Sequence, residues 1–307
     1  MTLPLLLEQT LNGFQLGMML FLMASGLTLT FGIMGLINLA HGSLYMVGAY
    51  VGASVMMASG SFVLGVVGGM AAAGVAGVIL EFAVLRHLYD RDHLDQVLAT
   101  FGVILFTNEL VKVMWGPQAI FSAPPDWLSQ PVNLFGVPYP AYRIAIIVAG
   151  LAVTLFLRHL ILNTRLGMRI RAGATNREMI GALGVNIGLL FNVVFGIGAM
   201  LAGLAGALAG PILAVQIGMG ENILILTFVV IIIGGVGSVR GAFVGALLVG
   251  LVDTYGRAVL PQVLRALLPP SAADGIGASL SDIGIYLLMA VVLVVRPQGL
   301  FQVTNSR

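Results

Sequence analysis

The chain has 307 residues, 59% of them apolar and 8% charged, with 14 Lys plus Arg against 12 acids and a net charge of +2. About a quarter of a soluble domain's residues are charged, whereas no charged side chain occurs here between Glu8 and Glu81; a water-soluble core with a charged exterior is therefore excluded. The absence of cysteine excludes disulfides, thiol chemistry and cysteine-ligated metal, and the excess of arginine is too local to make a nucleic-acid surface.

An all-α polytopic membrane protein remains. The alternation of a spanning β-barrel is missing from runs such as FVVIIIGG. Apolar runs near 11–33, 41–59, 62–85, 96–115, 142–160, 187–215, 222–239, 241–260 and 281–296 predict eight to nine crossings. The 41 glycines suit helices that pack backbone to backbone in lipid. Two Gly-rich joints, 34–42 and 233–241, are expected to be breaks within the membrane rather than true loops. No Lys or Arg precedes Arg86, so no basic n-region of a cleavable signal peptide is expected.

In chain order, the first distinctive stretch is GIMGLINLAHGSLYMVGAYVGA, which sets Asn38, His41 and Ser43 in the middle of the uncharged run. Polar groups at that depth are expensive and often functional, which makes these three candidate functional residues; the plainer reading is hydrogen-bonded packing. No second histidine lies at ligand spacing, so no metal site is expected. The acids within or beside spans are Glu81, Glu109, Asp253 and Asp282. Glu109 and Lys112 are three apart on one helix and are expected to neutralise each other.

Sidedness follows the basic residues. Arg158, Arg165, Arg169, Arg171 and Arg177 cluster over 158–177, which marks that segment as cytoplasmic. The segment 116–141 has six prolines and no Lys or Arg, and reads as an extracytoplasmic loop with Trp115 and Trp127 near the headgroups. Arg86, Arg91 and Arg296 then lie inside, the N-terminus is expected outside and the C-terminus inside. The loop holding Arg257 and Arg265 comes out external, against the rule.

Within the cytoplasmic segment, RAGATNREMIGALGVN is short, polar and patterned. Thr175 is expected to cap a helix beginning at Asn176, with Glu178 completing a capping box. Met179, Ala182 and Leu183 form a small apolar face, and Gly184 ends the helix. Two turns are too short to be stable alone. The helix is therefore either a connector lying on headgroups or a knob that docks on a cytoplasmic partner.

The stretch IIIGGVGSVRGAFVGALLVG is dense in glycine, but its apolar flanks rule out a dinucleotide fingerprint. Its loose likeness to the first stretch suggests an internal repeat. No P-loop, H-E-x-x-H or G-x-S-x-G motif, arginine ladder or potassium-filter sequence is present, so this chain is not expected to be an enzyme or to split ATP.

GLTLTFGIMGLINLAHGSLYMVGAYVGA, RAGATNREMIGALGVN and IIIGGVGSVRGAFVGA, in this order and spacing, resemble the permeases of branched-chain amino acid ABC importers, specifically the shorter of their two permease subunits. The likeness runs over roughly 12–300. It implies a type II-like ABC importer permease fold and one transmembrane permease domain over 1–307, with a cytoplasmic coupling loop at 163–186 and an extracytoplasmic loop at 116–141. It further implies a bacterial inner-membrane location, a homologous second permease, two cytoplasmic ATPase subunits that hold the ATP and Mg, a periplasmic binding protein and a lipid surround, with no cofactor in this chain. The family's coupling helix maps onto Arg171, Thr175, Asn176, Glu178, Met179, Ala182, Leu183 and Gly184. Under the same resemblance Asn38, His41 and Ser43 become the lumen candidates for a translocation pathway. The segment departs from the Glu-Ala-Ala form of other importers, having Arg171-Ala172-Gly173. The rivals are a stand-alone carrier cycling protons or Na⁺ through Glu109 or Asp253, a membrane scaffold and a channel.

Overall fold

The computed structural model describes residues 3–134 and 136–301. Each apolar run is a helix: α1 (Leu3–Met34), α2 (His41–Ser59), α3 (Phe62–Ala83), α4 (His93–Trp115), α6 (Ala141–Asn163), α9 (Ile187–Ala209), α10 (Met219–Gly234), α11 (Val239–Leu264) and α12 (Pro270–Val295). The loop between α4 and α6 holds a single turn, α5 (Asp126–Ser129), and a hairpin of β1 (Pro131–Leu134) with β2 (Val137–Pro140). The polar segment before α9 forms α7 (Arg165–Thr175) and α8 (Arg177–Ala182). Among the described residues, seven helices are long and apolar enough to cross a membrane, and α10 is a shorter apolar helix.

Hydrophobicity cannot sort these helices into inner and outer, because lipid is as apolar as the core. Packing does. The middle of α1, from Met18 to Thr30, is buried on every side, as is most of α9. α3, α4, α6 and α12 instead turn large apolar side chains outward, among them Ile79, Phe106, Leu155 and Val294.

The expected break at 34–42 is real. α2 starts beside α1 with His41 Nε2 against Gly26, eight residues, or about 12 Å of helix, before the end of α1. The chain from Gly35 to Ala40 therefore turns back into the bundle in non-helical form, and Leu36, Asn38 and Ala40 are buried. Its backbone needs partners there. The Ile37 amide donates to Gln96 Oε1 and the Leu39 amide to Thr100 Oγ1, each at 3.3 Å.

The second expected break is corrected. Residues 233–241 form a tight turn at the bundle's edge, where Gly237 lies beside Gly32 near the end of α1. The return into the bundle is at 210–218, which the apolar run 187–215 had disguised as helix. α9 stops at Ala209, and Val215 pairs with Ile120 in an isolated antiparallel bridge of 2.9 and 3.0 Å. α10 then begins against α2, where a β-carbon on Gly42 would lie 2.6 Å from the Gly220 carbonyl oxygen.

An inverted repeat results: α1–α4 and α9–α12 each run as a long helix, a non-helical return, a helix starting inside the bundle and two further spans, in opposite directions. α1 packs on α11 as α9 packs on α3. This repeat differs from the one hinted at by the two Gly-rich stretches, since the first of those spans the α1–α2 joint and the second the α10–α11 turn.

Arg86, Arg91, Arg158, Arg165, Arg169, Arg171, Arg177, Arg240 and Arg296 all fall at one end of the bundle. At the opposite end each exposed arginine of the α11–α12 region has an acid: Arg257 binds Asp253 at 2.8 Å and also Asp282, and Arg265 binds Asp274 at 2.8 Å. Trp127 is exposed, whereas Trp115 turns inward, donating to Ser54 Oγ at 2.7 Å and packing on Tyr50.

Gly48 meets the Gly203 backbone, whereas a β-carbon added to Gly102 on α4 would meet no described atom within 4 Å. A thermal-shift measurement on the purified chain is expected to show Gly48→Val lowering the unfolding midpoint by several degrees, the overpacking cost being about 1–3 kcal/mol or more. Gly102→Ala is expected to leave it unchanged or raise it.

Candidate functional site: the α7–α8 segment and what it touches

Thr164 opens α7 by accepting the Gly167 amide at 3.0 Å, and Arg171 donates back to the Ile161 carbonyl at the end of α6. α7 is thereby folded against the helix it follows. The expected cap is displaced by one residue. Thr175 closes α7, its hydroxyl donating to the Arg171 carbonyl at 3.0 Å, and Asn176 caps α8, its Oδ1 accepting the Met179 amide at 2.9 Å. Glu178 is then the second helical position rather than the third, and no capping box forms.

The far end is as expected. Gly184 adopts φ +85°, a conformation that a β-carbon strongly disfavours. Its amide reaches the Gly181 carbonyl at 2.9 Å and the Val185 amide reaches Ile180 at 3.3 Å, the paired closure of a Schellman motif.

The apolar face of α8 divides. Ile180 is 5% exposed and anchors the helix to the bundle, a role its neighbours' similar chemistry concealed in the sequence. Met179 and Leu183 stand outward at 62% and 77% exposure, with Ala182 and Gly184 also exposed. Arg171, Thr175, Asn176 and Glu178 complete the exposed rim.

Arg177 connects this knob to the spans. Its guanidinium lies 5.5 Å from the Phe191 ring centre on α9 and against Gly35, the first residue of the α1–α2 joint. Phe191 packs edge-on against Tyr89, and Tyr89 donates to Glu81 Oε1 at 2.6 Å. Burial first, and then the hydrogen bond to Glu81, raises the Tyr89 hydroxyl above its ordinary titration range, so it stays a donor. Glu81 is fully buried at the end of α3 and also accepts from Arg86 at 3.4 Å and Asn192 at 2.5 Å. Gln96 holds the other side of the joint, its amide group donating to the Leu88 and Arg91 carbonyls at 3.1 Å each. Gln96 and Thr100 carry no motif, their only sequence signal being polarity at the start of an apolar run; Arg177 lies within RAGATNREMIGALGVN, where its only sequence signal is membership of the basic cluster.

Asn38, His41 and Ser43 are all buried where this joint feeds into α2, at 1%, 0% and 6% exposure. They lie inside the bundle, not on an open face. Glu109 is paired with Lys112 at 3.2 Å and Asp253 with Arg257, so each of these acids has a local counter-charge. Among the described residues, no group of three or more His, Cys, Asp or Glu side chains gathers as a metal site.

The family profile described as "Branched-chain amino acid transport system / permease component" matches residues 9–293. The chain is similar to the high-affinity branched-chain amino acid transport system permease protein LivH of Escherichia coli, 28% identical over 96% of this chain and 94% of that one. It is 30% identical to the corresponding protein BraD of Pseudomonas aeruginosa, over 96% of this chain and 95% of the relative. It is also 28% identical to LivM of Escherichia coli, a permease protein of the same kind of system, over 95% of this chain and 70% of LivM.

Substituting Asn176→Ala is expected to cost about 1 kcal/mol of local helix stability and to speed amide exchange at Met179–Leu183 about fivefold by mass spectrometry. Thr175→Ala is expected to leave those amides unchanged, the reverse of what a Thr175 capping box would give.

Proposed function

This chain belongs to the family of permease components of branched-chain amino acid transport systems, and from that premise we propose that it is the shorter permease of an ATP-driven importer in a bacterial inner membrane. It is a membrane-spanning transport subunit. In this reading it forms the pore with a homologous second permease, as its likeness to both LivH and LivM supports. Two cytoplasmic ATPases hold the nucleotide and Mg, and a periplasmic protein delivers branched-chain amino acids or a similar small polar solute. The arginine-rich end then faces the cytoplasm, which puts both the N-terminal end of α1 and the loop at 116–141 outside.

One observation carries the coupling: α8 is held from behind by Ile180 and presents Met179, Ala182 and Leu183 outward. A short helix fixed on one face and apolar on the other is suited to a cleft on an ATPase. When nucleotide binding moves that cleft, α8 carries Arg177, and Arg177 bears on Gly35 and Phe191. The stroke reaches the α1–α2 joint by contact, and rigid helices transmit it to the pore. Asn38, His41 and Ser43 enter the pathway as the joint shifts. Glu109 and Asp253 are disfavoured as the acids of a proton- or sodium-coupled carrier, because both are tied to cations on their own helices.

In reconstituted complexes, Leu183→Asp is expected to reduce ATP-driven uptake to less than about a tenth, since docking would bury an unpaired charge, while the chain stays with its sister permease. Uptake at the wild-type rate would overturn the coupling assignment. Glu109→Gln breaks only an exposed pair of small energy and is expected to leave uptake within about twofold. Loss of uptake in that variant, with the complex still assembled, would revive the carrier reading.

A further inference from the structure

Most side chains on the outer face of this bundle are apolar, but one sector is not. On α4, Asn108 and Lys112 are about 40° apart around the helix, with Leu105 beside them, and Phe106 and Leu110 point to the far side. Asn108 lies seven residues, or about 10 Å of helix, from the Trp115 end, well inside the span. Its amide donates to Glu221 Oε1 at 2.6 Å and so bridges α4 to the first turn of α10. Asn222 and Ile225 continue this face of α10 and are exposed, while Glu221 is half-buried.

Glu221 differs from the other acids in the spans. Glu81, Glu109, Asp253 and Asp282 each have an arginine or lysine within 4 Å, whereas among the described residues Glu221 has none. The Asn108 Oδ1 that shares its site is buried and, among the described residues, has no hydrogen-bond partner. A carboxylate at membrane depth without a counter-charge is costly against lipid, and such groups face a water-filled cavity or a ligand. The sector also adjoins the place where α2 and α10 start, since Gly42 touches Gly220, the residue before Glu221.

We propose that the sector formed by Leu105, Asn108, Lys112, Glu221 and Asn222 faces the aqueous pathway, and that Glu221 is the carboxylate that receives the ammonium group of the transported amino acid. The proposal rests on the importer reading for the identity of the solute. Asn108 is the positioning residue: its amide group fixes one carboxylate oxygen. His41 and Ser43 flank Gly42, which touches Gly220, so they lie near the start of α10.

The chain contains no cysteine, so single cysteines can be read without background from it. In the assembled complex in proteoliposomes, Leu105→Cys and Asn222→Cys are expected to react with water-soluble methanethiosulfonates at least tenfold faster than Phe106→Cys and Leu110→Cys. At Asn222→Cys, a cationic methanethiosulfonate is compared with an anionic one. Adding Glu221→Gln, which keeps size and the Asn108 bond, is expected to lower the cationic-to-anionic rate ratio about tenfold, as loss of one nearby charge in a watery site implies. Sector cysteines as slow as those at Phe106 and Leu110 would overturn the pathway assignment, since lipid or the sister subunit would then cover this face. Fast labelling with an unchanged ratio would overturn the role of Glu221. ATP-driven uptake by the Phe106→Cys complex, which alters nothing in the sector, reports separately on the importer reading.

Discussion

A backbone amide inside a bilayer has no water to fall back on, and this fold is organised around that fact. The chain leaves helical conformation within the bundle twice, at 35–40 and 210–218, and each return needs outside partners for its peptide groups. Gln96 and Thr100 bond the Ile37 and Leu39 amides in the first, and the Ile120–Val215 bridge pairs Val215 in the second. Close glycine contacts, Gly26 with Gly198 and Gly42 with Gly220, let the surrounding helices approach closely enough to enclose both segments.

In the importer reading, the same arrangement is the candidate moving part. A continuous helix resists bending, whereas a non-helical joint held by two side-chain hydrogen bonds can shift at small cost. Arg177 from α8 and Gln96 from α4 both bear on that joint, one from the exposed knob and one from the adjacent span. The bundle thus places this buried non-helical backbone between α8 and the starts of α2 and α10.

Much of this was legible in the sequence and some was not. The spans were readable because lipid and protein interior both select apolar residues, so nothing in the chain had to alternate. For the same reason PILAV, from Pro211 to Val215, reads as the end of a helix although it lies beyond one: hydropathy is blind to backbone conformation. The cap of α8 is ambiguous in the sequence because Thr175 and Asn176 are both good cap residues, and the choice falls to α7, which runs through Thr175 and turns its hydroxyl back to Arg171. Ile180 and Met179 are adjacent and alike in chemistry; only packing decides that the first anchors and the second protrudes. Glu221 belongs to no motif, and its only signal is an acid just ahead of the apolar run Ile223–Ile233.

Amide hydrogen exchange on the assembled complex in lipid nanodiscs tests the central claim most directly, because it asks whether the joint between α1 and α2 is enclosed and bonded. The Ile37 and Leu39 amides, bonded to Gln96 and Thr100, are expected to exchange as slowly as those in the second turn of α2. Exchange of both within seconds would mean an ordinary solvent-exposed loop, and the enclosed joint on which the proposed coupling rests would not exist.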